Sequence, residues 1–119
     1  MTLYTDAGST HNGFEDNMSY ICVHDGSEVV YTDMIGNETI NVAEMRAIAE
    51  AIRIAGDLPS EIYSDSLLAV NLITRQWKGK KPHLKALVED IILPENITLE
   101  WIPRDDNPAG WYLESQYNN

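Results

Sequence analysis

The spacing of apolar residues divides the chain into short alternating segments and longer helical stripes. Leu3-Tyr4-Thr5-Asp6 reads as a strand that runs into the small-residue turn Ala7-Gly8-Ser9. Ser19–His24 alternates imperfectly, Asp25-Gly26 is a hairpin signal, and Val29–Thr32 completes the hairpin. These segments predict an antiparallel meander of three strands. The period then lengthens: Val42, Met45, Ile48, Ala49, Ile52 and Ala55 fall mainly on one helical stripe. Asn41 suits the N-cap of this helix, Glu44 follows it as in a capping box, and Gly56 suits the stop.

A strand is predicted over Glu61–Ser64, followed after Asp65 by a short helix carrying Leu67, Leu68, Val70, Leu72 and Ile73. Leu84, Leu87, Val88 and Ile91 predict another helix that ends before Pro94, and Ile97–Ile102 a further strand. Asn107-Pro108 pairs an N-cap with proline at the first helical position and opens a terminal helix. The order β-β-β-α-β-α-α-β-α indicates an α/β fold. A mixed five-stranded sheet, with the meander plus two parallel strands, is flanked by helices. Residues 1–119 read as a single domain without repeats or linkers.

Composition narrows the function classes. No apolar run approaches the roughly 20 residues that span a bilayer, and the start lacks the pattern of a signal peptide. Cys22 is the only cysteine, which excludes an internal disulfide and a multi-cysteine zinc site. A cytoplasmic protein with no membrane and no disulfide-linked partner is expected. The net charge of −11 argues against a generic nucleic-acid binder. However, Arg75, Lys78, Lys80, Lys81 and Lys85 lie in one short stretch around Trp77. That stretch is either a solvated connection or a local strip for gripping a polyanion.

Three carboxylates carry the chemistry. Asp6 ends the first predicted strand, Asp65 ends the fourth, and Glu44 lies in the first turn of the long helix. If the two strands are parallel neighbours, both aspartates open onto the crevice at their carboxyl ends. Glu44 then comes to lie over them. Such a cluster calls for a compensating cation, and all-oxygen ligation suits magnesium or manganese rather than zinc. Taken singly, each aspartate is equally read as a turn former, and Glu44 as the partner in a capping box.

At these positions the chain resembles the type 1 ribonuclease H family over nearly its whole length. The similarity rests on Tyr4-Thr5-Asp6-Ala7-Gly8-Ser9, Asn41-Val42-Ala43-Glu44-Met45-Arg46-Ala47, Ile62-Tyr63-Ser64-Asp65-Ser66 and Trp101–Asn107. The resemblance implies a ribonuclease H-like domain that cleaves the RNA strand of RNA/DNA hybrids with two magnesium ions, manganese being the alternative. It implies that Asp6 bridges both metals while Glu44 and Asp65 complete the leaving-group side. Asn41 matches a minor-groove contact. Ser9, Lys78, Lys80 and Lys81 are further expected substrate contacts.

The chain departs from the family pattern at its end. A fourth carboxylate is usual at the start of the last helix, and Gly110 stands there. Glu114, four residues on, lies on the same helical face. It would reach back about one turn, ~5.4 Å, over the glycine. An exposed glutamate without such a role fits the spacing equally well. Arg104 stands near the place of the family's flexible histidine, and His11, His24 and His83 are expected at the surface. Two functions remain in view: an active hybrid endoribonuclease, and a hybrid-binding pseudoenzyme that lost turnover with the fourth carboxylate. A 3′–5′ exonuclease is disfavoured, because Asp6-Ala7-Gly8 lacks an Asp-x-Glu pair.

Overall fold

The computed structural model describes residues 1–78 and 81–117. Its strands are β1 (Thr2–Ser9), β2 (Ser19–His24), β3 (Val29–Gly36), β4 (Ser60–Ser64) and β5 (Ile97–Trp101). They form one sheet in the order β3-β2-β1-β4-β5. The β3-β2-β1 half is antiparallel, and β1-β4-β5 is parallel. The helices are α1 (Ile40–Ala55), α2 (Leu67–Ile73), α3 (Pro82–Asp90) and α4 (Pro108–Tyr117), with a single 3-10 turn at Arg104–Asp106 before α4. The element order and the mixed sheet agree with the sequence reading. No described helix is long and apolar enough to cross a membrane.

The hairpin between β2 and β3 forms where Asp25 and Gly26 predicted it. The Asp25 carboxylate accepts the backbone N–H groups of Ser27 and Glu28 at 2.8 Å, and Gly26 takes φ 97°. Two local boundaries differ from the sequence reading. Ala7-Gly8-Ser9 is not a turn: β1 continues through it, with Ala7 opposite Ile21 and Ser9 opposite Ser19. The antiparallel partner β2 supplies hydrogen bonds that hold these small residues extended. Pairing with β4, in contrast, ends at Thr5 opposite Ser64. Asp6 therefore stands in mid-strand, at the point where β1 and β4 part.

Thr39, rather than Asn41, caps α1. Its hydroxyl accepts Val42 N–H, and the Asn12 side chain takes Ile40 N–H at 3.1 Å. With the cap displaced two residues, Asn41 is helical and Glu44 falls in the second turn. There is no capping box, because that bond requires the glutamate three residues after the cap. Glu44 is thereby left without a helix-capping task.

The face of β1 bearing Leu3 and Ala7 packs against α1, while α2 and α3 complete the larger core on that side. Ala43, Ala47, Ala51 and Ala55 recur every fourth residue along α1, all nearly or wholly buried. Small side chains in one helical row let α1 approach the sheet closely. On the opposite face Ala109 and Leu113 of α4 pack on Tyr20 and Cys22.

Asn107 fixes α4 to the sheet. It is fully buried and donates from Nδ2 to the Thr5 carbonyl at 2.9 Å, while its Oδ1 accepts Ala109 N–H at 3.1 Å. One side chain thus satisfies a strand carbonyl at the end of the β1–β4 pairing and caps a helix. Removing both bonds leaves buried polar groups unpaired. Asn107→Ala is expected to lower stability by about 2 kcal/mol or more, read as a lower urea midpoint at unchanged slope.

Candidate active site

Three elements deliver the acidic groups to one point. Asp6 projects where β1 leaves β4, Asp65 directly follows β4, and Glu44 comes from α1. One carboxylate oxygen from each lies within 4.8 Å of the others. The cluster that the sequence suggested therefore forms. Glu44 is only 7% exposed, and its Oε1 has no hydrogen-bond partner among the described residues. Asp65 is oriented from two sides: its Oδ2 accepts Asn107 Nδ2 at 3.1 Å, and its carbonyl accepts Trp101 Nε1 at 3.1 Å.

Burial and like charge oppose ionisation here. Loss of water, followed by the Asp65 charge, raises the Asp6 carboxyl to about 7. The Ala7 N–H, the Glu44 carboxyl and the Arg104 charge partly offset this rise. Burial also holds Glu44 well above its ordinary value, aided by the charges of Asp6 and Asp65. The neutral form of Glu44 is thereby favoured, which relieves its like-charge repulsion with Asp6. A hard divalent cation suits the same oxygens, because it would neutralise the crowding and give the orphaned Glu44 oxygen a partner.

A second space adjoins Asp6. A cleft of about 270 Å³ is lined by Asp6, Ser9, Tyr20, Arg104, Gly110 and Glu114 among others. Gly110 does face the acidic cluster. A Cβ at that position would stand 3.2 Å from Asp6 Oδ2 and 3.9 Å from Asp65 Oδ2. The helix lies too near for a larger side chain unless Asp6 gives way. Glu114, one turn on, is exposed on the rim of this cleft and makes no hydrogen bond or ion pair with the described residues. Arg104 is likewise exposed, and its charge acts on Asp6.

The other expected substrate residues gather elsewhere. Asn41, Trp77, Lys78 and Lys81 line a largely apolar groove of about 670 Å³, together with Leu68 and Leu84. Lys80 lies outside the described residues. Of the histidines, His11 is paired with Asp16 at 2.8 Å and stacked on Phe14, away from the acidic trio. Asp105 and Asp106 form part of the 3-10 turn and do not line the cleft.

Sequence reasoning missed Tyr20. This residue stands opposite Gly8 across the β1–β2 ladder, and its ring lies over that glycine. A Cβ on Gly8 would come within 2.4 Å of the ring. Glycine inside a strand signals such close approach. Had β1 been read through to Ser9, the signal would have been available. The donor role of Asn107 toward Asp65 was also missed, because the cap alone explained that residue.

Solved structures of RNase H1 proteins share this fold. LC11-RNase H1, isolated from compost by a metagenomic approach, superposes with a TM-score of 0.74 at 27% identity, covering 94% of this chain and 90% of that one. Its complex with an RNA/DNA hybrid gives a TM-score of 0.65 at 26% identity, over 90% and 88% of the two chains. RNase H1 from the halophilic archaeon Halobacterium salinarum shares the fold, with a TM-score of 0.71 at 23% identity over 99% and 98%. No curated protein matches the chain. The RNase H family matches residues 1–106, from the first strand through the turn that precedes α4, and the chain belongs to that family.

Proposed function

We propose that this protein is a metal-dependent endoribonuclease that cuts the RNA strand of RNA/DNA hybrids. The observation that carries the reading is the trio itself. Asp6, Glu44 and Asp65 offer oxygens within 4.8 Å, and Glu44 Oε1 is buried without a hydrogen-bond partner among the described residues. All-oxygen donors at the mouth of a cleft fit magnesium, with manganese as an alternative. Divalent ions so held supply an activated water and stabilise the departing oxygen of a phosphodiester.

The chain's own residues set the conditions for that chemistry. Asn107 and the Trp101 indole hold Asp65 in position. Burial beside Asp6 and Asp65 favours the neutral form of Glu44 until a divalent cation supplies the compensating charge. Glu114 supplies the carboxylate that Gly110 withholds, from the rim of the cleft beside Asp6, where a second ion would bind. Asn41, Lys78 and Lys81 flank the groove that receives the hybrid, and Ser9 touches the substrate beside Asp6. Contacts to 2′-hydroxyls across a minor groove would distinguish RNA from DNA.

A second reading rests on Gly110. With no carboxylate on that residue and Glu114 exposed, the domain would bind hybrids without turning them over. End-labelled RNA/DNA hybrid, the matching single strands and duplex DNA, each incubated with magnesium or manganese, separate the two. Internal RNA cuts confined to the hybrid are expected. Asp6→Asn should reduce them about a thousandfold or more, since it removes several kcal/mol of charge stabilisation. Retention of hybrid without cutting would establish the binding module instead.

For Glu114, the Gln variant is expected to cut about tenfold more slowly at limiting magnesium and to unfold at the same temperature as the parent. Identical rates across a magnesium titration would remove Glu114 from the site.

The raised carboxyls also make a linkage prediction. Asp6 and Glu44 bind protons more tightly folded than unfolded, so without metal their contribution to stability is fully present below about pH 4; the Asp6 part is lost as pH rises through about 7, and the Glu44 part as pH rises through its own raised value. Cation binding has the opposite dependence, because protons compete for the same oxygens. The rise in melting temperature on adding magnesium should therefore be larger at about pH 8 than at about pH 5. Equal shifts at both values in calorimetry would contradict metal binding by these groups.

A further inference from the structure

The cleft beside the acidic trio has a wall that the carboxylate chemistry does not use. Tyr20 is only 6% exposed, yet no described residue hydrogen-bonds to its hydroxyl. The ring is held firmly, stacked on Tyr117 with centroids 4.0 Å apart and seated over Gly8. Its hydroxyl lies beside the strand segment just past Asp6, where a Cβ on Gly8 would stand 2.6 Å from the oxygen. The ring is buried, but the hydroxyl is open to the cleft, where a ligand can reach it. Burial and the neighbouring Tyr117 and Asp6 raise the phenol above its ordinary value, so it remains a donor at neutral pH.

Two more donors line the same space. Arg104 carries a permanent positive charge there without an ion pair among the described residues, and the Ser9 hydroxyl is at the end of β1. Phenol, guanidinium and hydroxyl are the groups that recognise phosphate oxygens. The carboxylates on the other side of the cleft would repel an anion arriving alone, but not one that arrives where a cation is held.

We infer that Tyr20 and Arg104 bind a non-bridging oxygen of a substrate phosphodiester in the cleft beside Asp6. The inference rests on the hybrid-cleavage reading for the identity of the substrate, but not for the anion site itself. It also gives Gly8 a function: any side chain there displaces the ring that carries the donor.

Tyr20→Phe removes the hydroxyl and keeps the ring, so stacking and stability should be preserved. Arg104→Gln removes the charge at an exposed position. Inorganic phosphate, titrated in the presence of magnesium and followed by NMR, is expected to shift Gly8, Gly110 and the Arg104 Nε–H saturably in the parent protein. Each substitution should weaken that binding about tenfold, in line with one hydrogen bond to a charged group, at unchanged melting temperature. On hybrid, the same variants should lose about tenfold in kcat/KM.

Phosphate binding that is unaffected by both substitutions, or no saturable shift in the parent, overturns the proposal. Parental kcat/KM for Tyr20→Phe on a hybrid that the parent cuts also overturns it. Phosphate binding that responds to both substitutions, in a protein that cuts no hybrid, supports the anion site and refutes the hybrid reading alone.

Discussion

The structure depends on forcing three carboxylates into a space that ordinary folding would avoid. At separations of 4.8 Å or less, each pair of full charges repels by ~3 kcal/mol at an effective dielectric near 20. Burial adds a desolvation cost to ionising Glu44 and Asp6. The fold imposes this arrangement rather than tolerating it. The alanine row of α1 brings Glu44 down to the sheet, while the divergence of β1 and β4 opens the space that Asp6 and Asp65 enter. Asn107 then holds Asp65 on its open side. A protein gains nothing in stability from such a cluster. Its retention is understandable only if something positive occupies it, whether a shared proton or a metal ion.

Much of this was legible in the sequence because it depends on local signals. Alternation, hairpin chemistry and the helical stripe from Val42 to Ala55 are read within a few residues of each other. Placing Asp6 and Asp65 on adjoining parallel strands required only the element order and the usual sheet connections. What stayed hidden depends on register and closeness between elements. Thr39 caps α1 because the loop before the helix is tied back to the β1–β2 loop through Asn12, a contact 28 residues away in sequence. Ala7-Gly8-Ser9 looks like a turn until β2 is known to lie alongside. Tyr20 means little until the ladder places it opposite Gly8.

The acidic composition presents a separate problem for a nucleic-acid enzyme. With a net charge of −11, long-range attraction to a polyanion is absent or reversed. Screening limits that penalty, since charges farther than about 8 Å from a phosphate are largely muted at physiological salt. Contacts made at close range therefore decide whether substrate stays. Lys78 and Lys81 stand with Trp77 on one groove, and Arg104 stands with Tyr20 in the cleft. Both places pair a cation with an aromatic side chain. In each, a bound nucleic-acid strand would gain part of its contact from uncharged groups, whose contribution does not weaken as salt rises.

The two glycines flanking Asp6 tie these observations together. Gly8 clears the room for the Tyr20 ring, and Gly110 lets α4 come within 3.2 Å of Asp6 Oδ2, measured from where its Cβ would be. An aspartate at position 110 would not simply restore the family pattern, because its Cβ already crowds Asp6 before a carboxylate is added. With glycine at this point of α4, any carboxylate that helix brings to the cleft has to come from farther along it. Glu114, one turn beyond Gly110, lies on the rim of that cleft.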